Sequence, residues 1–451
     1  MKTKRRSSGA LNQTLEQEYD YFAGLLTNEE STKMAQASAV NYFRRLFTEN
    51  TEPPKYFDHS LIDNLIEIVR DAEKAADIRT DAAWAITNLL CSKRTPLTHE
   101  IIKKGALTVF VWCIKTGEYK LRDQCIWGIG NISADCSQCK DTVRSTDVLD
   151  VIAKQMHSGV FLSKESSRCA IWCCLNILRG ANAPISPRTA RLLLTAITKS
   201  MHRFESDGNI ITDSLLTLSL LADDRNFFHF PHLWPIQIDA MINEPGLITC
   251  TLAAIETGCA PLVSPALRLI GNIITGTDEQ TEKVITRDGF IKLIFFALDS
   301  PVGQVRREAA WILSNIAAGP PTHVNLIIQD NELISKLMFL LRKDDSRLQK
   351  EVCWVFANVL SSLNTTPRPK LQEEILGHGV LAIIQFAMRP GTDVRLVNKI
   401  REVLSILLIS HPQYWPVVEE ACAGQTPLLD PPRRSKYPCD YVIYPEDAME
   451  I

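Results

Sequence analysis

Polar and apolar positions repeat along this chain at a period of about 43 residues. Five segments place a tryptophan four positions before an asparagine: AAWAITNLL, IWGIGNIS, IWCCLNILR, AAWILSNIAAG and CWVFANVLSS. A sixth segment, LRLIGNIITG, keeps Asn272 but has Arg268 in place of the tryptophan. A degenerate unit between them, DSLLTLSLLADD, carries Leu216 and Leu220 at the two positions. Repeats of this length are typical of stacked helices.

Each repeated segment predicts a helix with two different faces. At 100° per residue the asparagine lies about 40° from the tryptophan, whereas the second and fifth residues after the tryptophan lie on the opposite side. Those opposite positions are apolar, with one cysteine: Ile86, Leu89, Ile129, Ile132, Cys174, Ile177, Leu218, Leu221, Ile270, Ile273, Leu313, Ile316, Phe356 and Val359. We therefore expect this stripe to be buried and the tryptophans and asparagines to point away from the core.

Two interpretations of the tryptophan–asparagine face remain open. In the first, each tryptophan packs against the next repeat and each asparagine caps a backbone group. In the second, the stacked pairs form a ladder along the repeats. An asparagine amide would clamp the backbone of an extended peptide, and a slot between indoles would hold the stem of a lysine or arginine. Recurrence in six units favours the second, which predicts a linear, basic peptide ligand.

Charged residues on the same face divide this predicted groove into two sites. The third residue before the tryptophan position is acidic in four units: Asp81, Asp213, Glu308 and Glu351. Asp135, eight residues after Trp127, also projects there, so we expect an acidic, aromatic groove. Arg179 and Arg268 fall on the same face and should repel basic side chains. They separate an N-terminal site from a C-terminal one, or they pair with acids or bind carbonyl groups of the ligand.

Composition limits the other classes of function. The 451 residues include 49 Lys and Arg against 52 Asp and Glu, a net charge of −3, so we expect no nucleic-acid partner. No apolar run approaches the roughly 18 residues of a membrane span. The chain lacks GxxxxGK[ST], GxSxG and HExxH motifs, and we predict that it is not an enzyme and needs no cofactor.

The 13 cysteines predict buried, reduced thiols, because many lie in apolar helical segments. One pair, Cys136 and Cys139 in CSQC, has the CxxC spacing of zinc ligands. A second pair at zinc-ligand spacing does not follow it in the sequence. We therefore interpret this CxxC as a coincidence at a helix end and predict no metal site.

The segments DQCIWGIGNISAD, SPALRLIGNIITGTDEQT and RREAAWILSNIAAG resemble the armadillo repeats of importin-α (karyopherin-α), the nuclear import adaptor. The resemblance implies an all-α, right-handed superhelical solenoid of about eight to nine repeats over residues 31–412. It also implies that a concave groove binds the Lys/Arg-rich nuclear localisation signals of cargo proteins. The major site would comprise Trp84, Asn88, Trp127, Asn131, Asp135, Trp172, Asn176 and Arg179. The minor site would comprise Arg268, Asn272, Glu308, Trp311, Asn315, Glu351, Trp354 and Asn358.

The family resemblance further implies shuttling between cytoplasm and nucleus, with importin-β as carrier, Ran-GTP as the dissociating factor and an export receptor for recycling. Family members begin with a long arginine-rich segment that binds importin-β, whereas only some thirty residues precede the first repeat here. Two alternatives therefore stay open: a nuclear import adaptor, and an armadillo scaffold that binds a different extended partner without importin-β.

The segments outside the regular repeats carry three further expectations. We expect residues 1–30 to be a disordered basic tail. Its cluster Lys2, Lys4, Arg5 and Arg6 is either an autoinhibitory pseudo-ligand, reaching the groove through an extended tether, or a tail without that role. We expect an insertion near residues 225–245, with a loop packed on the solenoid. The proline-rich, acidic segment 413–451 should form an irregular C-terminal tail.

Overall fold

The computed structural model describes residues 3–28, 30–50, 52–92, 95–161, 163–180, 185–223 and 231–421, with side chains from residue 15 onward. Within these ranges the regular elements are α-helices and two short 3-10 segments, Pro231–Leu233 and Pro412–Tyr414, without a β-strand. The chain divides into two compact units, residues 1–312 and 313–451, and the division falls within helix α18 (Gly303–Ala317).

Unit 1 is built from helices in repeating sets. Those before α18 are α1 (Thr3–Thr27), α2 (Lys33–Glu49), α3 (Ser60–Arg70), α4 (Ala76–Leu90), α5 (Thr95–Lys103), α6 (Ala106–Thr116), α7 (Tyr119–Asp135), α8 (Ser137–Arg144), α9 (Val148–His157), α10 (Lys164–Leu178), α11 (Pro187–Arg203), α12 (Gly208–Leu221), α13 (Trp234–Asn243), α14 (Leu247–Glu256), α15 (Ala260–Ile273), α16 (Asp278–Ile285) and α17 (Phe290–Leu298).

Unit 2 contains the helices that follow α18. After α18 they are α19 (Pro321–Ile328), α20 (Asn331–Lys343), α21 (Ser346–Thr365), α22 (Pro369–Ala387), α23 (Val394–Ser410) and α24 (Trp415–Ala421). Helix α21 packs against α20, α22 and α23, and α22 also contacts α24.

The helices of unit 1 form two rows. The inner row consists of α2 followed by α4, α7, α10, α12 and α15, which contain the repeated segments, and each helix packs on the next. The outer row is α3, α6, α9, α11, α14 and α17, each also in contact with the next. A left-handed glycine precedes α6 and α17: Gly105 has a φ of 96° and Gly289 a φ of 75°. This conformation is cheap only for glycine, and here it turns the chain into the outer helix.

The predicted apolar stripe is confirmed. All fourteen residues at the second and fifth positions after the tryptophan are buried, and the most accessible of them, Leu89, is 2% exposed. The degenerate unit is also a regular inner helix, because α12 contains Leu216 and Leu220 between α10 and α15. The hydrophobic period therefore determines which face of each inner helix meets the outer row.

The N-terminal segment differs from the expected disordered tail, because α1 extends from Thr3 to Thr27. Aromatic packing explains the order of its second half. Tyr19 is 1% exposed, its ring lies 5.3 Å from that of Phe43, and its hydroxyl accepts a 2.9 Å hydrogen bond from the backbone N–H of Asp58. Phe22 stacks on Tyr42 at 4.2 Å. A helix rises about 1.5 Å per residue, so the extended tether proposed from the sequence does not form over this range.

Part of the expected insertion is helical. Residues 224–230 lie outside the described residues, but Trp234–Asn243 is helix α13, where we expected a loop. The indole N–H of Trp234 donates to the backbone oxygen of Ala222 at 3.1 Å, and Ile238 and Met241 are buried. Of the expected C-terminal tail, Trp415–Ala421 is helical, and residues 422–451 lie outside the described part of the chain.

Candidate peptide-binding groove

The tryptophans and asparagines of the repeated segment lie on the solvent side of the inner row in unit 1. Trp127 is 46% exposed, and Trp84 and Trp172 are half-buried. Asn88 and Asn131 are also half-buried, whereas Asn176 is only 6% exposed. The predicted orientation of this face is therefore present in unit 1, with the exception of the buried Asn176.

A glycine of the preceding inner helix seats the indole ring of the next repeat. A Cβ atom on Gly130 would lie 2.3 Å from Cζ3 of Trp172, and one on Gly271 would lie 2.0 Å from the same atom of Trp311. Both glycines are helical residues, three positions after the tryptophan position of their own segment. The first interpretation, in which each tryptophan packs on a neighbouring repeat, is thus realised at these two rings.

The asparagines tie neighbouring inner helices together through their amide groups. Nδ2 of Asn131 donates to the backbone oxygen of Thr87 at 3.2 Å, and Nδ2 of Asn176 approaches that of Gly130 at 3.5 Å. Asn272 donates to Ser219 at 2.8 Å in the same register. None of the described residues donates to the Oδ1 atoms of these three asparagines. Nδ2 of Asn131 also donates to the sulfur of Cys91 at 3.1 Å. Each of the three amides thus keeps its Oδ1 as an acceptor.

Three tryptophans line one open cavity of about 750 Å³, which we call the indole groove. Its lining consists of Thr80, Trp84, Lys120, Asp123, Gln124, Trp127, Glu165, Arg168, Cys169, Trp172 and Asp213. The residues missed by the sequence analysis lie mainly four or seven positions before a tryptophan. Those positions fall about 40° and 20° from it on a helical wheel, so the signal was present in the pattern.

The indole groove is mixed in charge, which corrects the expected acidic groove. Asp123, Glu165 and Asp213 supply carboxylates, but Lys120 and Arg168 add two positive groups, because the helical wheel also turns their positions toward the tryptophans. Burial raises the pKa of Asp213, an effect opposed by the positive charges of Arg168 and Arg179.

Asp123 and Arg179 differ in their contacts. The Asp123 carboxylate pairs with Arg122 at 2.9 Å and also accepts a hydrogen bond from the Ser166 hydroxyl. Arg179 is exposed at the end of α10, and its backbone oxygen accepts from Lys140 at 2.8 Å.

A cation of the chain itself already lies over the ring of Trp84. The guanidinium carbon of Arg44 lies 4.7 Å from the centre of the Trp84 ring, and Nε of Arg44 lies 3.4 Å from Oδ1 of Asp81. This is the aromatic and acidic pairing that the sequence predicts for a basic ligand. It also shows that Asp81 is engaged within the chain.

Arg268 is paired within unit 1. Its Nε donates to Oε2 of Glu308 at 3.0 Å, and its Nη2 contacts the other carboxylate oxygen. Its guanidinium carbon lies 6.0 Å from the centre of the Trp311 ring. Glu308 is 4% exposed, so it serves this ion pair rather than an open groove. Of the alternatives left open for the arginine, pairing with an acid is the one found here.

Asp135 lies one helical turn beyond Asn131, at the end of α7, and is absent from the lining of the indole groove. Its Oδ1 accepts from the Thr98 hydroxyl at 3.3 Å, and its Oδ2 lies 3.8 Å from the sulfur of Cys139. With His99 and Cys136, these side chains form a cluster of potential metal ligands. The prediction of no metal site therefore needs a test.

The remaining candidate residues lie in unit 2 or near the N-terminus. Asn315, Glu351, Trp354 and Asn358 are half-buried, and Nδ2 of Asn358 donates to the backbone oxygen of Ser314 at 3.1 Å. Lys2 and the side chains of Lys4, Arg5 and Arg6 lie outside the described residues, so the autoinhibitory assignment stays a prediction.

Stacked helical repeats of this kind form an armadillo-repeat solenoid. Two solved structures share this fold. One is an engineered protein, with a TM-score of 0.61 at 16% identity over 86% of this chain and 98% of that one. The other comes from work on the interaction between cadherin and β-catenin, with a TM-score of 0.69 at 15% identity over 90% of this chain and 79% of that one.

Within that class the chain is similar to importin subunit alpha proteins, which confirms the resemblance seen in the sequence. It is 29% identical to importin subunit alpha-1b of Oryza sativa subsp. japonica over 252 residues, 55% of this chain and 44% of the relative. It is 27% identical to importin subunit alpha-3 of Arabidopsis thaliana over 267 residues, which are 58% of this chain and 46% of the relative. The matches thus span somewhat less than half the length of these relatives.

Two further comparisons bear on the class of protein. No family model matches the chain. Among the described residues, no helix has both the length and the apolar composition required to cross a bilayer.

Proposed function

We propose that this chain is a nuclear import adaptor that binds basic nuclear localisation signals of cargo proteins in the indole groove of unit 1. The observation that carries the proposal is that Trp84, Trp127 and Trp172, from three successive repeats, line one open groove with three carboxylates. Similarity to importin subunit alpha proteins supports the same function from an independent direction.

The indoles would hold the lysine and arginine side chains of the signal. Each cation placed over an indole gains about 0.5–2 kcal/mol, and its aliphatic stem packs on the ring. The pairing of Arg44 with Trp84 and Asp81 is an example of the same chemistry within the chain. Asp123, Glu165 and Asp213 would neutralise the charged ends of the ligand, and Asp135 would do so one turn beyond Asn131.

The asparagines would hold the backbone of the signal. Their Oδ1 atoms would accept from peptide N–H groups, while one Nδ2 hydrogen of each stays on the preceding helix. A basic peptide bound in this way pairs with one asparagine per repeat. Selectivity for a charged, extended segment then comes from the sum of many modest contacts.

A second candidate is an armadillo scaffold that binds a different extended partner. Lys120 and Arg168 favour it, because these cations in the indole groove would attract acidic side chains. The two functions differ in the sign of charge that the groove prefers. The experiment therefore compares two peptides of equal length, one with five consecutive Lys or Arg residues and one with Glu at those positions.

Fluorescence anisotropy of the labelled peptides with the full chain measures both affinities. We expect the basic peptide to bind more tightly and to weaken as salt rises. Trp127→Ala should raise its Kd by about 2- to 30-fold, the range that corresponds to one indole contact. Trp112→Ala is the matched control, because Trp112 is 38% exposed on α6 and lies outside the groove. Preference for the acidic peptide, or equal effects of the two substitutions, would reject the adaptor.

Transport partners follow from the family and are part of the same proposal. An adaptor of this family would bind importin-β, release cargo with Ran-GTP, return with an export receptor and shuttle between cytoplasm and nucleus. A pull-down of purified importin-β with the full chain, with and without Ran-GTP, tests this step. If the chain binds the basic peptide but does not bind importin-β, the transport step is rejected and the chain is a peptide-binding scaffold.

A further inference from the structure

Four side chains with metal-binding chemistry meet where α5, α7 and α8 converge. His99 lies on α5, Asp135 is the last residue of α7, Cys136 is the N-cap of α8, and Cys139 lies in the first turn of α8. One ligand atom from each lies within 4.8 Å of the corresponding atoms of the other three. Three helices of unit 1 therefore bring one imidazole, one carboxylate and two thiols to a single point.

The spacing of these atoms fits a tetrahedral ion. Zn–S bonds of about 2.3 Å and Zn–N or Zn–O bonds of about 2.0–2.2 Å put neighbouring ligands roughly 3.3–3.8 Å apart. Nε2 of His99 lies 3.4 Å from the sulfur of Cys136, and the sulfur of Cys139 lies 3.8 Å from Oδ2 of Asp135. The other pairs lie at most 4.8 Å apart and must close by up to about 1.5 Å, a movement that side-chain rotation can supply.

Neighbouring groups hold the ligands in place. The hydroxyl of the fully buried Thr98 donates to Oδ1 of Asp135 at 3.3 Å, so Oδ2 remains directed at Cys139. The backbone N–H of Cys139 donates to the sulfur of Cys136 at 3.3 Å. Outer partners of this kind orient ligands at metal sites. Cys139 is 1% exposed, whereas the other three ligands are half-buried, which leaves a path from solvent.

We infer that His99, Asp135, Cys136 and Cys139 form a Zn²⁺-binding site that fastens α5 to the junction between α7 and α8. Two thiolates and an imidazole favour a borderline-soft ion over Mg²⁺ or Ca²⁺, which take oxygen ligands. Four protein ligands in a tetrahedron are typical of a structural site rather than a catalytic one. The CxxC of the sequence is then half of a site whose other half comes from α5 and the end of α7.

Isothermal titration of Zn²⁺ into the chelator-treated, thiol-reduced full chain tests this site. Cys136→Ser removes one thiolate but keeps a preferred N-cap residue, so the helix should persist. We expect one ion per wild-type chain, and an affinity reduced in Cys136→Ser by more than the roughly 10–100-fold that loss of an outer partner costs. Circular dichroism checks that the variant folds, and His99→Ala gives a second ligand removal.

The matched control uses another cysteine–histidine contact. The sulfur of Cys250 lies 3.5 Å from Nδ1 of His202, but this pair does not belong to a cluster of three potential ligands among the described residues. Cys250→Ser should therefore leave Zn²⁺ binding unchanged. Failure of the wild-type chain to bind one Zn²⁺ would overturn the site. Equal losses in Cys136→Ser and Cys250→Ser would overturn it as well.

Asp135 links this site to the proposed peptide groove, and this step rests on the proposed function. A carboxylate bound to Zn²⁺ cannot also neutralise a lysine, so Zn²⁺ should raise the Kd of the basic peptide for the wild-type chain and not for Cys136→Ser. An equal effect on both proteins would exclude coupling through the site. If no basic peptide binds in either condition, the proposed function fails, whereas the titration of Zn²⁺ alone still decides the metal site.

Discussion

Gly130→Ala should destabilise the contact between α7 and α10, although glycine-to-alanine changes inside helices usually stabilise them. Alanine gains about 1 kcal/mol over glycine in a helix interior. Here the added Cβ would lie 2.3 Å from Cζ3 and 2.8 Å from Cε3 of Trp172. Carbon atoms pack best at about 3.5–4.0 Å, so the indole must move by about 1.5 Å.

Two opposing effects determine how much Gly130→Ala changes the free energy of unfolding. Overpacking of a well-packed site costs about 1–3 kcal/mol, and a displaced indole belongs at the upper end. The gain of about 1 kcal/mol in helix propensity offsets part of this cost. We therefore expect Gly130→Ala to lower the free energy of unfolding by about 2 kcal/mol. Because repeats contact mainly their neighbours, the loss should be concentrated in α7 and α10.

Urea unfolding gives the change in free energy, and hydrogen exchange of the α7 and α10 amides locates it. Gly379→Ala is the matched control, because Gly379 lies inside α22 and its added Cβ would meet only a methyl group of Ile383 at 3.9 Å. That variant should be as stable as the wild type or more stable. In a Trp172→Leu background the cost of Gly130→Ala should largely disappear. Two results would refute this reasoning. One is that Gly130→Ala destabilises the Trp172→Leu background as much as the wild type, and the other is that Gly130→Ala stabilises the wild-type chain.

Two further predictions concern pH. Burial raises the pKa of Asp213, so binding of the basic peptide should weaken on acidification at a higher pH than an ordinary aspartate would give. Asp213→Asn should abolish this pH dependence of the Kd, measured by fluorescence anisotropy. Burial raises the pKa of Tyr19 to about 12, against 10.0 in the unfolded chain. The stability that it contributes is therefore present below pH 10 and lost as pH rises through about 12, worth roughly 3 kcal/mol. Urea unfolding from pH 9 to 12 should show a smaller loss for Tyr19→Phe, whereas Tyr21→Phe, at a 63% exposed residue, should match the wild type.

Much of unit 1 follows from the sequence through one period. The apolar positions beside each tryptophan predict the buried face, and the structure places them there with at most 2% exposure. The same wheel could have identified Asp123 and Glu165 as groove residues, since both lie on the tryptophan side. Acidic residues recur in phase only at the third position before the tryptophan, whereas the groove also includes residues at the fourth and seventh positions.

What the pattern did not reveal are contacts between side chains of different repeats. Arg268 and Glu308 are 40 residues apart, and Thr98 and Asp135 are 37 apart, close to one repeat in each case. Residues separated by one repeat become neighbours when helices stack. Such pairs have no local motif, because the separation depends on the lengths of the intervening turns. The sequence pattern therefore does not predict the contact between His99 and Cys136.

The two interpretations of the tryptophan–asparagine face are not rivals. Gly130 seats the ring of Trp172, and the amide of Asn131 is tied to the carbonyl of Thr87. Each contact removes rotamer freedom from a side chain before any ligand arrives. A ligand that meets fixed rings and fixed Oδ1 atoms therefore has less ordering to offset, which increases affinity without additional contacts. If the proposed function holds, the packing between repeats would prepare this groove of mixed charge for an extended peptide.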